Sequence, residues 1–161
     1  MSSAEVELPA FPAVARDAGS AAFFDAAARG VLLVQRCTSC ATVLTPEART
    51  CLSCGSVDLD AAEAAGLGRL VSWVVVRHAP IPALAGAVPY LSAVVELDEG
   101  PWLMVRLIEA GSAEIHADAR VQVDFVRSGA EENTGELLPV FRLTASDVVS
   151  DVGPEVAEGS A

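Results

Sequence analysis

The chain has 161 residues, enough for one or two small domains, with 52% apolar residues and a formal net charge of -12 from 22 acidic and 10 basic side chains. All the basic residues are arginine, so no Schiff base can form on this chain and no lysine exists to reach a nucleotide phosphate. The acidic balance argues against nucleic acid, and apolar runs such as 31–34 and 73–76 are far too short to cross a bilayer.

Residues 1–30 read as an extended lead-in followed by a helix over 21–29, with Gly30 as its stop. The acidic, proline-containing start has no apolar run of signal length, so a cytoplasmic location is expected. In that compartment thiols stay reduced, and four cysteines read as metal ligands before they read as disulfides. Residues 31–62 form the next unit. A short strand over 31–35 delivers the chain to Cys37-x-x-Cys40, and Cys51-x-x-Cys54 follows after ten intervening residues.

Two residues between cysteines let both sulfurs of one knuckle reach a single ion, and two knuckles complete a tetrahedral set. Cys37, Cys40, Cys51 and Cys54 are therefore the expected metal ligands. Structural zinc is the expected ion, with iron as the alternative. Two separate redox motifs would need a helix opening at each CxxC, which Pro46 and the threonine-rich stretch between the knuckles oppose. Four thiolates around a divalent ion leave a local charge of about -2. Arg36 and Arg49 flank the knuckles and could offset it, or simply be surface charges. Gly55 suits the tight turn after Cys54, where the first knuckle has Ala41 instead.

From Leu67 the pattern changes to period two, behind Gly66 and Gly68. Strands are expected over 70–77, 90–97, 102–108, 120–126 and 138–143. Residues 79–89 form a long proline-rich loop, 98–101 a hairpin turn and 128–136 a polar loop. Within 120–126, Val121, Val123 and Phe125 should face inward. The expected fold is mainly β, with an N-terminal helix, a four-cysteine ribbon, and a small five-stranded OB-like barrel over 63–145. Residues 146–161 carry acidic residues and no basic one, and read as a disordered acidic tail.

No catalytic residue stands out. His78 ends a strand beside the long loop, with no nucleophile or carboxylate near it in sequence, and His116 sits in a polar segment. Gly66-x-Gly68 lacks the rest of a dinucleotide fingerprint. The apolar loop 79–89 is either packed on its own barrel or a partner-docking surface. Arg69, Arg77 and Arg106 are either solvated strand edges or contacts for ligand phosphates.

The order of these pieces resembles a domain-of-unknown-function family of rubredoxin-like zinc ribbons joined to OB folds. The resemblance rests on residues 24–40 (FDAAARGVLLVQRCTSC), 46–55 (PEARTCLSCG), 66–76 (GLGRLVSWVVV), 89–100 (PYLSAVVELDEG) and 138–143 (LPVFRL), and it spans about residues 20–145. Ala41, and Asp118 where a glycine is common, depart from the pattern. Members often accompany thiolases. The resemblance implies a non-catalytic accessory subunit of a thiolase-like complex acting on acyl-CoA thioesters, by carbon–carbon cleavage or acyl transfer. Steroid side-chain retro-aldol cleavage is one such reaction, and acyl-CoA would bind at or near the interface. A nucleic-acid-binding ribbon-plus-OB protein is the alternative reading.

Overall fold

The computed structural model describes residues 11–108 and 115–144. The expected acidic tail at 146–161 lies outside the described residues. The helix α1 (Ala21–Ala27) ends at Gly30, whose φ of 74° suits glycine and whose N–H donates to the Ala27 carbonyl at 2.9 Å. Its inward side, with Phe24, Ala26 and Ala27, is buried.

The chain then forms β1 (Leu32–Cys37), β2 (Val43–Leu44) and β3 (Leu59–Ala64), an antiparallel sheet in the order β2-β1-β3. Five further strands follow: β4 (Leu67–Val76), β5 (Tyr90–Leu97), β6 (Trp102–Leu107), β7 (Arg120–Ala130) and β8 (Asn133–Leu143). They close into a barrel in the order β4-β5-β6-β8-β7. Its last seam is parallel and short: Leu107 pairs with Phe141, and the Ile108 N–H donates to the Phe141 carbonyl at 2.8 Å. A mainly β chain with one short helix, a ribbon and a closed five-stranded barrel is the architecture the sequence leads one to expect.

One core holds both parts together. Leu32 and Val34 of β1 pack in the same buried cluster as Leu70, Val95, Leu97, Val121 and Phe141 of the barrel. Each such side chain contributes about 1.5–3 kcal/mol when fully buried. The glycine pair at the ribbon–barrel junction is steric in origin. A Cβ on Gly66, whose φ is 73°, would lie 2.2 Å from Val123 Cγ1, and one on Gly68 would lie 2.4 Å from the Glu96 carbonyl oxygen. The Glu99 carboxylate, in the β5–β6 turn, accepts the Ala65 N–H at 2.7 Å and so ties the same junction to the barrel.

The expected polar loop at 128–136 is a correction. The segment is the tip of a long hairpin, with β7 running to Ala130 and β8 starting at Asn133. Its polar groups are satisfied by the N-terminal stretch. The Ser128 hydroxyl accepts the Val14 N–H at 3.1 Å and donates to the Glu136 carbonyl at 2.7 Å. Gly129 N–H donates to the Phe11 carbonyl, and Glu136 N–H to the Val14 carbonyl, both at 2.8 Å. Arg16 grips the Glu136 carboxylate at 2.7 and 2.8 Å. Partners more than a hundred residues away convert a polar run into strand. The inward alternation holds for Val121, which is buried, and for Val123 and Phe125, which are half-buried against the core.

Gly68→Ala should therefore lower the thermal midpoint by several degrees, since overpacking costs about 1–3 kcal/mol. Gly86→Ala, where an added Cβ meets nothing within 4 Å, should leave it unchanged. Paired thermal melts check this.

Candidate metal centre

The two knuckles fold alike although one carries glycine and the other alanine. Cys37 N–H donates to the Thr42 carbonyl at 2.9 Å, and Ala41 N–H returns to the Cys37 carbonyl at 2.9 Å. In the second knuckle Cys51 N–H donates to Ser56, and Gly55 N–H returns to Cys51, both at 2.8 Å. The residue after each second cysteine adopts positive φ: 64° at Ala41 and 75° at Gly55. Ala41 thus holds a conformation that costs a residue with a Cβ about 1–2 kcal/mol. Asp118, the other departure from the resemblance, also has positive φ, 65°, which aspartate tolerates better than most residues.

These turns bring the four sulfurs together. Cys37 Sγ lies 3.6 Å from Cys54 Sγ, and Cys40 Sγ lies 3.5 Å from Cys51 Sγ. All four sulfur atoms fall within 4.8 Å of one another. A regular tetrahedron with metal–sulfur bonds of about 2.3 Å has edges of ~3.8 Å, so the set fits one tetrahedral ion. The separations are far beyond a disulfide bond, and all four cysteines are free. Cys37 and Cys51 are buried with Leu44, against Ala48 and Leu59, while Cys40 and Cys54 face outward.

Electrostatics point the same way. Cys40 is lowered to about 6, chiefly by the Thr42 hydroxyl 3.1 Å from its sulfur and then by the Thr42 backbone N–H. Cys51 is lowered by the Cys54 backbone N–H. The Ser56 N–H favours the Cys54 thiolate, yet the crowding sulfurs of Cys40 and Cys37 outweigh it and push Cys54 up to about 12. Four thiolates cannot all ionise this close together without a cation among them, and a divalent ion removes the conflict. When bound, the ion would be a cross-link held by Cys37, Cys40, Cys51 and Cys54, with every tetrahedral position filled by sulfur.

The other sequence candidates lie elsewhere. Arg36 and Arg49 are exposed, and no hydrogen bond joins either to a sulfur; the sulfurs take the Thr42 hydroxyl and backbone donors instead. His78 and His116 are exposed, and His116 Nδ1 sits 2.9 Å from the Ala117 carbonyl oxygen. Arg69 and Arg77 are exposed on β4 and just past its end. Arg106 is not a solvated strand edge. Its guanidinium is sandwiched between the Phe11 and Tyr90 rings, 4.2 and 4.1 Å from their centroids, and donates to the Ala87 carbonyl at 3.3 Å. That bond pins the 79–89 loop, whose Ala87 is fully buried, while Ile81 remains 52% exposed.

Sequence reasoning missed the crevices where ribbon and barrel meet. One, of about 530 Å³, lies between α1, the 46–49 turn and the β6–β8 seam, with Phe23, Leu103, Met104 and Pro139 on its walls. A second, of about 650 Å³, lies under the ribbon beside Leu44, Leu52 and Trp102. Arg49 borders both. Leu52 and Met104 are 93% and 83% exposed. The local signal was present in the alternation of β6, whose Trp102 and Met104 point away from the core, but nothing local says that the ribbon lies alongside.

A four-sulfur ribbon set on a closed OB-type barrel defines the class of this protein. Family models match the rubredoxin-like zinc ribbon domain of ChsH2 at residues 24–60 and the C-terminal OB-fold domain of ChsH2 at residues 61–126. The chain is 39% identical to a solved structure described as "Ltp2-ChsH2(DUF35) aldolase", covering 82% of this chain and 98% of that one with a TM-score of 0.63. The chain belongs to the DUF35 family of ChsH2-type ribbon-and-OB proteins. It is also 39% identical over 131 residues to a probable enoyl-CoA hydratase alpha subunit of Thermomonospora curvata, of which it spans only 39%. A DUF35 domain-containing scaffold protein of Pyrococcus furiosus is 30% identical over 81 residues, half of this chain and 59% of that one. A DUF35 protein from Sulfolobus solfataricus, 12% identical with a TM-score of 0.52, shares the fold.

Elemental analysis of the purified chain should find one metal ion per chain. Cys51→Ser should weaken its retention by more than the ~10–100-fold typical of losing an outer-shell partner. Conversely, Ala41→Gly should stabilise the ribbon by about 0.5–1 kcal/mol, because relief of the left-handed conformation exceeds glycine's entropic cost. Metal release monitored during chemical denaturation reads both effects.

Proposed function

We propose that this chain is a non-catalytic accessory subunit of a thiolase-like complex acting on acyl-CoA thioesters, and that its resident ion is structural zinc. The observation that carries this reading is the four-sulfur set: its geometry fills a tetrahedral ion with protein ligands and leaves no position for substrate or water. Every thiol of the chain is committed to that set, and no histidine–nucleophile pair occurs among the described residues. The carbon–carbon bond chemistry, thiolysis or retro-aldol cleavage, then belongs to the companion chain.

Two further observations support a scaffold role. Apolar side chains stand exposed on the ribbon and barrel, among them Leu52, Trp102 and Met104, beside apolar crevices of a size that takes a ligand or a partner's side chains. The relatives described as an Ltp2-ChsH2 aldolase, an enoyl-CoA hydratase alpha subunit and scaffold proteins fit a subunit that assists acyl-CoA chemistry. In this reading acyl-CoA binds at or near the interface with the partner, and steroid side-chain degradation is one setting for it. Among the described residues no helix is long and apolar enough to cross a membrane.

The test is co-expression with the thiolase-like proteins of the same host. One of them should co-purify with this chain in fixed stoichiometry, and acyl-CoA cleavage should need both proteins. Turnover by this chain alone would contradict the proposal, and so would a chain that forms no such complex.

A further inference from the structure

The seam that closes the barrel is a single rung. β6 pairs with β5 from Trp102 to Leu107, but with β8 only at Leu107–Phe141. The Ile108 N–H donates to the Phe141 carbonyl on the β8 side, while the Pro101 carbonyl accepts the Leu97 N–H on the β5 side. Backbone groups alternate in direction along a strand, so residues 104 and 106 turn theirs toward β8, and 103, 105 and 107 toward β5. The next rung back would have residue 139 donate to the Met104 carbonyl. Residue 139 is proline, which has no N–H, and from there back β8 pairs with β7 only. Among the described residues no backbone bond reaches the Met104 N–H or carbonyl from that side.

The crevice of about 530 Å³ lies at this broken seam. Leu103, Met104 and Val105 line it from β6 and Pro139 and Phe141 from β8, with Phe23 of α1 beside them. The crevice thus combines apolar walls with one free donor and one free acceptor on a strand edge. An extended chain is complementary to both: its backbone pairs with Met104, and its alternate side chains enter the crevice. A helix does not fit as well, since its backbone groups are spent within itself except at its ends. The rim sets the sign of the charge. Asp17 and Glu47 outnumber Arg49 there, and the whole chain stands at -12, which favours a basic segment over an acidic one. A second copy of this chain, with the same acidic charge, is the poorer occupant.

We propose that an extended, basic segment of the partner protein adds as a strand to the free edge of β6 at Met104, with its side chains in the crevice between β6 and β8. This rests on the accessory-subunit reading and deepens it by naming the contact. Hydrogen–deuterium exchange of the full chain, alone and with the thiolase-like protein that co-purifies with it, tests it. The Met104 amide should exchange freely in the chain alone and ~10-fold or more slower in the complex. Met104→Pro deletes that N–H and leaves the bonds of Leu103 and Val105 to β5, at an edge position where a strand tolerates proline. It should weaken capture of the partner about tenfold, the size of a lost backbone hydrogen bond, with metal content retained. Met104→Ala, which loses the side chain but keeps the N–H, should weaken capture less, and Glu47→Lys should weaken it by reversing the rim charge. A complex in which the Met104 amide still exchanges freely would overturn this inference and leave the accessory-subunit reading in place. Equal losses in Met104→Pro and Met104→Ala would do the same. Protection of Met104 in the chain alone, or on adding acyl-CoA without the partner, would give the edge to another occupant and overturn it too. Failure of every thiolase-like protein to bind would overturn both.

Discussion

Mutual repulsion among four crowded sulfurs is the constraint on which the rest of the structure depends. With every Sγ within 4.8 Å of the others, the set is tolerable as thiolates only around a cation. Binding of the ion is thereby also folding free energy, on the order of 10–16 kcal/mol in small zinc-binding domains. The ribbon needs it. Its own buried cluster is small, with Leu44 beside two of the cysteines themselves. The positive φ at Ala41 and the paired turn hydrogen bonds are local costs and geometries that the cross-link holds in place.

What the ion holds is tied to the barrel. Leu32 and Val34 carry the ribbon sheet into the barrel's core, and Gly66, Gly68 and Glu99 fix the junction with contacts that allow no added side chain or lost acceptor. The crevices at this junction therefore have walls from both parts, and no wall residue is one of the four cysteines. In the proposed reading, a metal centre closed to substrate would still govern a docking surface some distance away.

The cysteine spacing, the period-two strands and the glycine that ends the helix were all readable locally, because each depends on neighbours within a few residues. The metal set needed only that two x-x spacings meet. The hairpin tip at 128–136 was not readable, since its polarity is answered by Phe11, Val14 and Arg16 from the far end of the chain. Arg106 failed for the same reason: its two aromatic faces come from residue 11 and from the strand next door. Gly66-x-Gly68 lacks the rest of a dinucleotide fingerprint, and the cause of the pair, Val123 and Glu96 pressing on bare backbone, is tertiary. Ala41 and Asp118 looked like departures from the family pattern, and both prove to be positive-φ positions filled without glycine.

The central claim is that one ion is enclosed entirely by sulfur, so that reactive work falls to a companion chain. X-ray absorption at the metal edge of the purified protein reads that coordination sphere directly. The account predicts zinc with four sulfur neighbours at about 2.3 Å and no lighter scatterer in the first sphere. An oxygen or nitrogen neighbour at ~2.0–2.2 Å in place of one sulfur would mean an open coordination position on this chain, and would contradict the account.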